Sequence, residues 1–304
     1  MLVDRNSQDL YHNKNQGLKI FNEVCVQGVH GSAMNQGPLI NRSDSPYARG
    51  LLLVVFLMGT WLLSFGGVLA QENYEIQVYD SETETPGKVM VELHSNMAVK
   101  GTTQKTEGVL PTQHALHETL EVTYGFTPWF ETGFYIFTSI QPGMGWQWVG
   151  DHIRPKVRVP ESWDWPVGVA LSTEFGYQRR KFSTDTWSIE IRPIIDKKIG
   201  RWYLSFNPVL GRSLKGDGTN RGFEFNPNFK ISYEFSSKIS GGFEYYGSLG
   251  PLSGFDPLKE QKHQIFPVVD LNLGADWELN FGVGMGLTSS TDRLIIKTIV
   301  GRRF

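Results

Sequence analysis

Residues 222–235 read GFEFNPNFKISYEF. The odd positions are Phe223, Phe225, Pro227, Phe229, Ile231, Tyr233 and Phe235. The even positions are Glu224, Asn226, Asn228, Lys230, Ser232 and Glu234. Successive side chains of a strand point to opposite faces, so this stretch has one apolar face and one polar face. Pro227 is the blemish, since proline brings no N–H to a ladder.

The same alternation recurs along the chain. Trp277, Leu279, Phe281, Val283, Met285 and Leu287 oppose Glu278, Asn280, Gly282, Gly284, Gly286 and Thr288. Residues 167–178 and 187–192 repeat it, and 294–301 do so less cleanly. The pattern predicts twelve strands, at 87–98, 116–126, 129–140, 151–159, 165–178, 185–195, 201–212, 221–235, 238–248, 263–274, 277–288 and 292–304. Most reach the roughly 9–11 residues that a tilted strand needs to cross a bilayer. Short turns at 127–128, 160–164, 196–200, 236–237 and 275–276 alternate with longer connections at 99–115, 141–150, 179–184, 213–220 and 249–262; only 289–291 breaks the rule. Short periplasmic turns and longer outer loops mark a bacterial barrel, and an even strand count places both barrel termini in the periplasm. Trp129, Trp163, Trp165, Trp202 and Trp277 lie by the short turns, whereas Trp146, Trp148 and Trp187 lie by the longer loops. That makes two girdles at the levels where amphipathic rings favour the membrane interface. The expected fold is all-β, a transmembrane antiparallel β-barrel of about twelve strands over 87–304. A soluble β-sandwich also alternates, but it seldom needs so many long amphipathic strands.

The front of the chain fits export. Residues 50–70, GLLLVVFLMGTWLLSFGGVLA, form the one long apolar run, with Arg42 and Arg49 ahead of it and Gln71, Glu72 and Asn73 after it. A positive flank, an apolar centre and a small residue at the exit make a signal peptide; the run is also long enough for a membrane anchor. Residues 1–49 are mostly polar and aperiodic, and are expected to be a mis-called start or a disordered extension. Residues 71–86 are expected to form a periplasmic segment, with an extra strand or part of a plug as the other roles open to them.

Of the 304 residues 20% are charged, and the net charge of −2 leaves no nucleic-acid footprint. Cys25 is the only cysteine, which excludes an internal disulfide and a cysteine-based metal site. Gly282, Gly284 and Gly286 lie on a strand with no helix after them, so they are not a dinucleotide loop; they are expected to make room for bulky neighbours. Residues 211–222 read as a flexible loop, and the lone Asp217 is a poor calcium site. His94, His114, His117, His152 and His263 give neither a metal motif nor a serine partner on an apolar face. No catalytic residue, cofactor or metal is expected.

The segments YEIQVYDSETETPG (74–87), LEVTYGFTPWFETGFYIFTS (120–139), GDHIRPKVRVPESWDWPVG (150–168) and ELNFGVGMG (278–286) resemble a family of outer-membrane transporters labelled as phenol-degradation, MetA-pathway porins. The resemblance spans nearly all of 71–304. It implies a transmembrane barrel and uptake of small, in part aromatic, compounds, and it carries no catalytic residues. The terminal Phe304 resembles the assembly signal of outer-membrane proteins, although Arg302 stands where an apolar or aromatic residue is common. The expected partners are outer-membrane lipid, the barrel-assembly machinery and an unidentified small solute.

If apolar residues face lipid, the other set lines the interior. It comprises His152, Arg154, Lys156 and Arg158 on one strand, with Glu121, Glu131, Glu174, Glu190, Arg192, Glu224, Lys230, Glu234, Glu244, Asp270, Glu278, Arg293 and Lys297 on others. A midplane Arg or Lys on the lipid face would cost about 2–4 kcal/mol, whereas a wet lumen lets it pair or hydrate. Two readings stay open: a narrow polar pore for small solutes, or a plugged structural barrel whose charges pair. An outer-membrane lipid-modifying enzyme and a surface binding module are the rivals from other classes. Three like charges at Arg154, Lys156 and Arg158 need acids or anions opposite them. They make either an anion-guiding ladder or a wall paired with glutamates across the lumen.

Overall fold

The computed structural model describes residues 73–304 apart from residue 275. The expected leader (1–49) and signal segment (50–70) lie outside the described residues. Twelve strands follow: β1 (Val89–Lys100), β2 (Leu116–Thr127), β3 (Phe130–Gln141), β4 (Gly145–Arg158), β5 (Gly168–Gln178), β6 (Asp185–Ile199), β7 (Trp202–Gly216), β8 (Glu224–Ser236), β9 (Ile239–Ser248), β10 (Lys262–Asn272), β11 (Trp277–Gly286) and β12 (Leu294–Arg303). Each pairs antiparallel with the next, and β12 pairs with β1 over Met90↔Arg303 to Lys100↔Leu294, which closes the barrel. Closure leaves no open sheet edge, the condition for strands to cross lipid. Phe304 extends this seam: its N–H donates to the Val89 carbonyl at 2.8 Å.

The alternation sorts the faces as expected. Leu93, Leu120, Phe134, Ile136, Phe175, Phe243 and Phe281 are 40–53% exposed on the outside, while their neighbours Glu92, Glu121, Tyr135, Glu174 and Glu244 are buried inside. Such an outer belt of large apolar side chains suits hydrocarbon rather than water. Trp129, Trp163, Trp165, Trp202 and Trp277 are exposed at the short-turn end, and Trp146 and Trp187 at the loop end.

Several features differ from the sequence reading. β6 runs to Ile199 through the expected turn at 196–200, and β7 runs to Gly216 into the expected loop at 211–222. β4 starts at Gly145, so most of the expected 141–150 loop is strand and the connection shrinks to residues 142–144; Trp146 and Trp148 are thus strand residues paired with Ile140 and Thr138. The β11–β12 connection widens to residues 287–293, which brings it into line with the other long loops. The inner face is not wholly polar: Phe266, Val268, Ile295 and Tyr246 form one buried apolar cluster, and Tyr135, Phe137 and Val149 belong to another.

The apolar inner patches have an occupant. Ile76 and Val78 pack in the first cluster, Tyr74 in the second, and Tyr79 joins Ala170 and Ile194 in a third. Residues 73–86 therefore run inside the barrel. Asn73 bonds Asp292 in the β11–β12 loop, while Pro86 bridges to Gly125 at the short-turn end. This corrects the placement of the segment as a periplasmic tail: its described part is a strap threaded from one end of the bore to the other. It makes no ladder along its length, so it is not a thirteenth wall strand. Its bonds go mostly to wall side chains. The approach is tight at Gly125, where a Cβ would stand 2.3 Å from the Glu84 carbonyl oxygen.

Candidate functional site

The strap is held at points along its whole length. Near the loop end, Thr119 Oγ1 and Asn96 Nδ2 donate to the Tyr74 carbonyl at 2.7 and 3.2 Å. Lys297 Nζ donates to the Ile76 carbonyl at 2.9 Å. Asn207 clasps Tyr79 both ways: its Oδ1 accepts from the Tyr79 N–H at 2.8 Å and its Nδ2 donates to the Tyr79 carbonyl at 3.0 Å. Asp196 takes the Ser81 N–H at 2.9 Å and the Ser81 hydroxyl at 2.7 Å. At the short-turn end Glu131 accepts from the Glu84 N–H at 2.6 Å, and Arg303 donates to the Glu84 carboxylate at 2.9 Å. An extended segment away from water must place its main-chain groups somewhere. Here wall side chains of β1, β2, β3, β4, β6, β7 and β12 take them.

Most of the basic residues on the inner wall are paired with neighbouring acids. Arg154 Nη2 donates to Glu121 at 2.6 Å and Nη1 to Glu131 at 3.2 Å, and Nε donates to the Tyr135 hydroxyl. Lys156 lies 3.4 Å from Glu131 and 3.8 Å from Asp80 of the strap, and also donates to the Glu82 carbonyl. His152 bonds Glu174. Arg158, nearer the rim, pairs with Glu161 at 3.3 Å. The row on β4 is thus a paired wall, and its acids come from the nearby strands β2, β3 and β5, from Glu161 in the connection after β4 and from the strap rather than from the opposite side.

The other inward residues form further networks. Arg192 pairs with Glu190 at 2.6 Å and reaches Glu75 of the strap at 3.6 Å. Glu244 pairs with Lys297 and, at 3.2 Å, with Lys230, which also holds Asp270 at 3.0 Å. Glu278 faces Arg303 at 3.6 Å. Glu224 sits at the loop end, 2.5 Å from Arg221, and Glu234 at the short-turn rim, 2.6 Å from Lys198. Arg293 does not belong to the wall: it precedes β12 and is exposed in the loop. Arg221 also bonds Asp256 at 2.6 Å, tying two loops together; partial burial works against its charge, but Glu224 and Asp256 outweigh that and raise its pKa.

Two cavities remain beside the strap. The loop-end chamber, about 430 Å³, touches Tyr74, Leu110, Phe182, Val209 and Tyr246 as well as Glu75, Glu174, Glu190 and Arg192. The short-turn chamber, about 400 Å³, is more heavily charged. Its lining carries Asp80, Glu82, Glu84, Glu92, Glu131, Glu244, Asp270 and Glu278 against Arg154, Lys156, Lys230, Lys297 and Arg303. Among the described residues, Gln77 is the one that lines both chambers. Acids exceed bases in the lining of each.

Sequence reasoning left part of a plug open for residues 71–86 but missed the strap's seats at Asn207, Asp196, Tyr135 and Arg303. The signal was present: Tyr74, Ile76 and Val78 alternate with Glu75 and Gln77. That reads as an extended segment but does not say that it lies inside the barrel.

No protein-family model matches the sequence, and no curated protein matches it. Solved structures do match in fold. The COG4313 outer membrane channel from Pseudomonas putida F1 superposes with a TM-score of 0.52 at 11% identity, over 76% of this chain and 100% of that one. The KdgM porin matches at 10% identity with a TM-score of 0.46, over 71% of this chain and 99% of its own. The first of these shares its fold with this chain, which is an all-β, twelve-stranded, closed antiparallel barrel.

Proposed function

We propose that the protein is an outer-membrane channel for small solutes whose path runs beside an internal strap and narrows at Gln77. The observation that carries this reading is the pair of chambers at the two ends of the bore, which share Gln77 as a lining residue. The apolar outer belt and the tryptophan girdles support insertion in a bilayer, with the short turns facing the periplasm and delivery by the barrel-assembly machinery. Neutral and cationic solutes are favoured, since carboxylates exceed cations in both linings. The apolar patches of the loop-end chamber suit a solute with a small apolar body, in keeping with the resemblance to transporters of aromatic compounds.

The test is single-channel conductance in planar bilayers of the wild type, Gln77→Ala and a deletion of residues 73–84. Small steps in the wild type, larger in Gln77→Ala and largest in the deletion, support the path. A folded, inserted protein that conducts in none of the three forms would leave a structural barrel. Replacing Arg154, Lys156 and Arg158 together by Glu is a poorer probe of selectivity, because two of the three are buried in ion pairs.

A further inference from the structure

One cluster in the inner wall holds no part of the strap's main chain, and only Glu92 of it touches the short-turn chamber. Glu92 and His94 both point inward from β1, and Glu121 lies directly across from Glu92 on β2. All three are buried, His94 and Glu121 completely. One ligand atom from each lies within 4.8 Å of the others. Neither ring nitrogen of His94 has a hydrogen-bond partner, and nor does Glu121 Oε2, although all three atoms are shut away from solvent. Buried polar atoms are nearly always bonded. Here His94 Nε2 and Glu121 Oε2 face each other at 3.4 Å without a geometric hydrogen bond, His94 Nδ1 has none either, and two carboxylates stand directly opposite each other.

We propose that Glu92, His94 and Glu121 form a binding site for a divalent first-row transition cation, with zinc as the probe. The chemistry fits on three counts. One imidazole and two carboxylates are borderline and hard donors that zinc accepts. His94 Nε2 and Glu121 Oε2 are 3.4 Å apart, close to the edge of about 3.3 Å that follows for a tetrahedron with zinc bonds of about 2.0–2.1 Å. Glu121 is already oriented: Arg154 and Thr123 hold its Oε1 at 2.6 and 2.8 Å, which turns Oε2 toward His94. A carboxylate ligand fixed in this way by outer hydrogen bonds is the usual arrangement around protein-bound metals. Glu92 lines the short-turn chamber, so the ion has a way in from that chamber. A fourth coordination position there is open to water or to a passing solute.

The experiment uses the full chain, folded in detergent micelles, with folding verified by heat-modifiable migration on gels. Zinc uptake is measured by calorimetry, and cobalt(II) serves as the spectroscopic probe. The proposal expects one zinc per chain and visible cobalt bands of a four- or five-coordinate site. Glu92→Gln and His94→Gln each weaken binding at least about tenfold, whereas replacing the exposed loop residue His114 by Ala changes nothing. Glu92→Gln keeps side-chain size and leaves His94 in place, so it stands as the test if His94→Gln does not fold. Failure of the folded wild type to take up either metal overturns the proposal, as does uptake that survives unchanged in Glu92→Gln.

Discussion

Arg154 shows what a single side chain does in this wall. It sits 3% exposed between Glu121, Glu131 and Tyr135, with the Tyr79 ring 4.7 Å from its guanidinium carbon. Removing one partner of a buried ion pair leaves the other charge without compensation, typically at about 3–5 kcal/mol. Arg154→Met is therefore expected to lower the urea midpoint of the vesicle-inserted barrel strongly. Adding Glu121→Gln and Glu131→Gln to it recovers part of the loss. Gly284 acts through space rather than charge. A Cβ there would stand 2.2 Å from the Phe266 ring, and that ring packs with Ile76 and Val78 of the strap. Gly284→Ala forces the ring to move, and overpacking of this kind costs about 1–3 kcal/mol. The same unfolding series reads it, and the expectation fails if the midpoint stays put. That glycine was legible as space for a bulky neighbour, because it falls on the inward face of an alternating strand. Which neighbour used the space was not, since Phe266 comes from the next strand in the barrel.

Strands and strap differ in how far sequence reveals them. Period-two alternation records an environment that changes from one side of the sheet to the other, so β8 and β11 could be read almost to the residue. β4 could not: residues 141–150 hold three glycines and a proline, which read as a loop, yet Gly145 to Gly150 pair along β3. The inner face was harder still. Ile295 and Ile299 of β12 point inward, as do Phe266 and Val268 of β10, which blurred both patterns; Ile295, Phe266 and Val268 meet an apolar strap rather than water. The strap itself bonds mainly to side chains on seven strands, and no local pattern encodes such partners. Asn207 is the clearest of these seats. Asn207→Leu removes both bonds to the Tyr79 main chain while keeping the side chain's bulk, and loosens the strap at mid-bore. Single-channel records should then show more frequent excursions to a larger conductance level. Records indistinguishable from wild type would mean that Asn207 does not restrain the strap.

At the scale of the molecule, charge decides what the bore favours. Eight carboxylates face five cationic groups around the short-turn chamber, so the reversal potential in a salt gradient should show a preference for cations. That preference should weaken at high ionic strength, where screening shortens the reach of each charge. A preference for anions at neutral pH would count against the proposed lining. The strap also sets an order of events in time. The Ile76 carbonyl waits for Lys297, 221 positions later in the chain, and the barrel seals by zipping β12 onto β1. The earliest described residues are thus secured by nearly the last ones made. Either the nascent cylinder curls around a segment already lying in place, or a finished one must be threaded afterwards, a much slower process. Biogenesis and occupancy of the bore are then a single event, and a barrel that shuts without its strap inside is a different product from the native one.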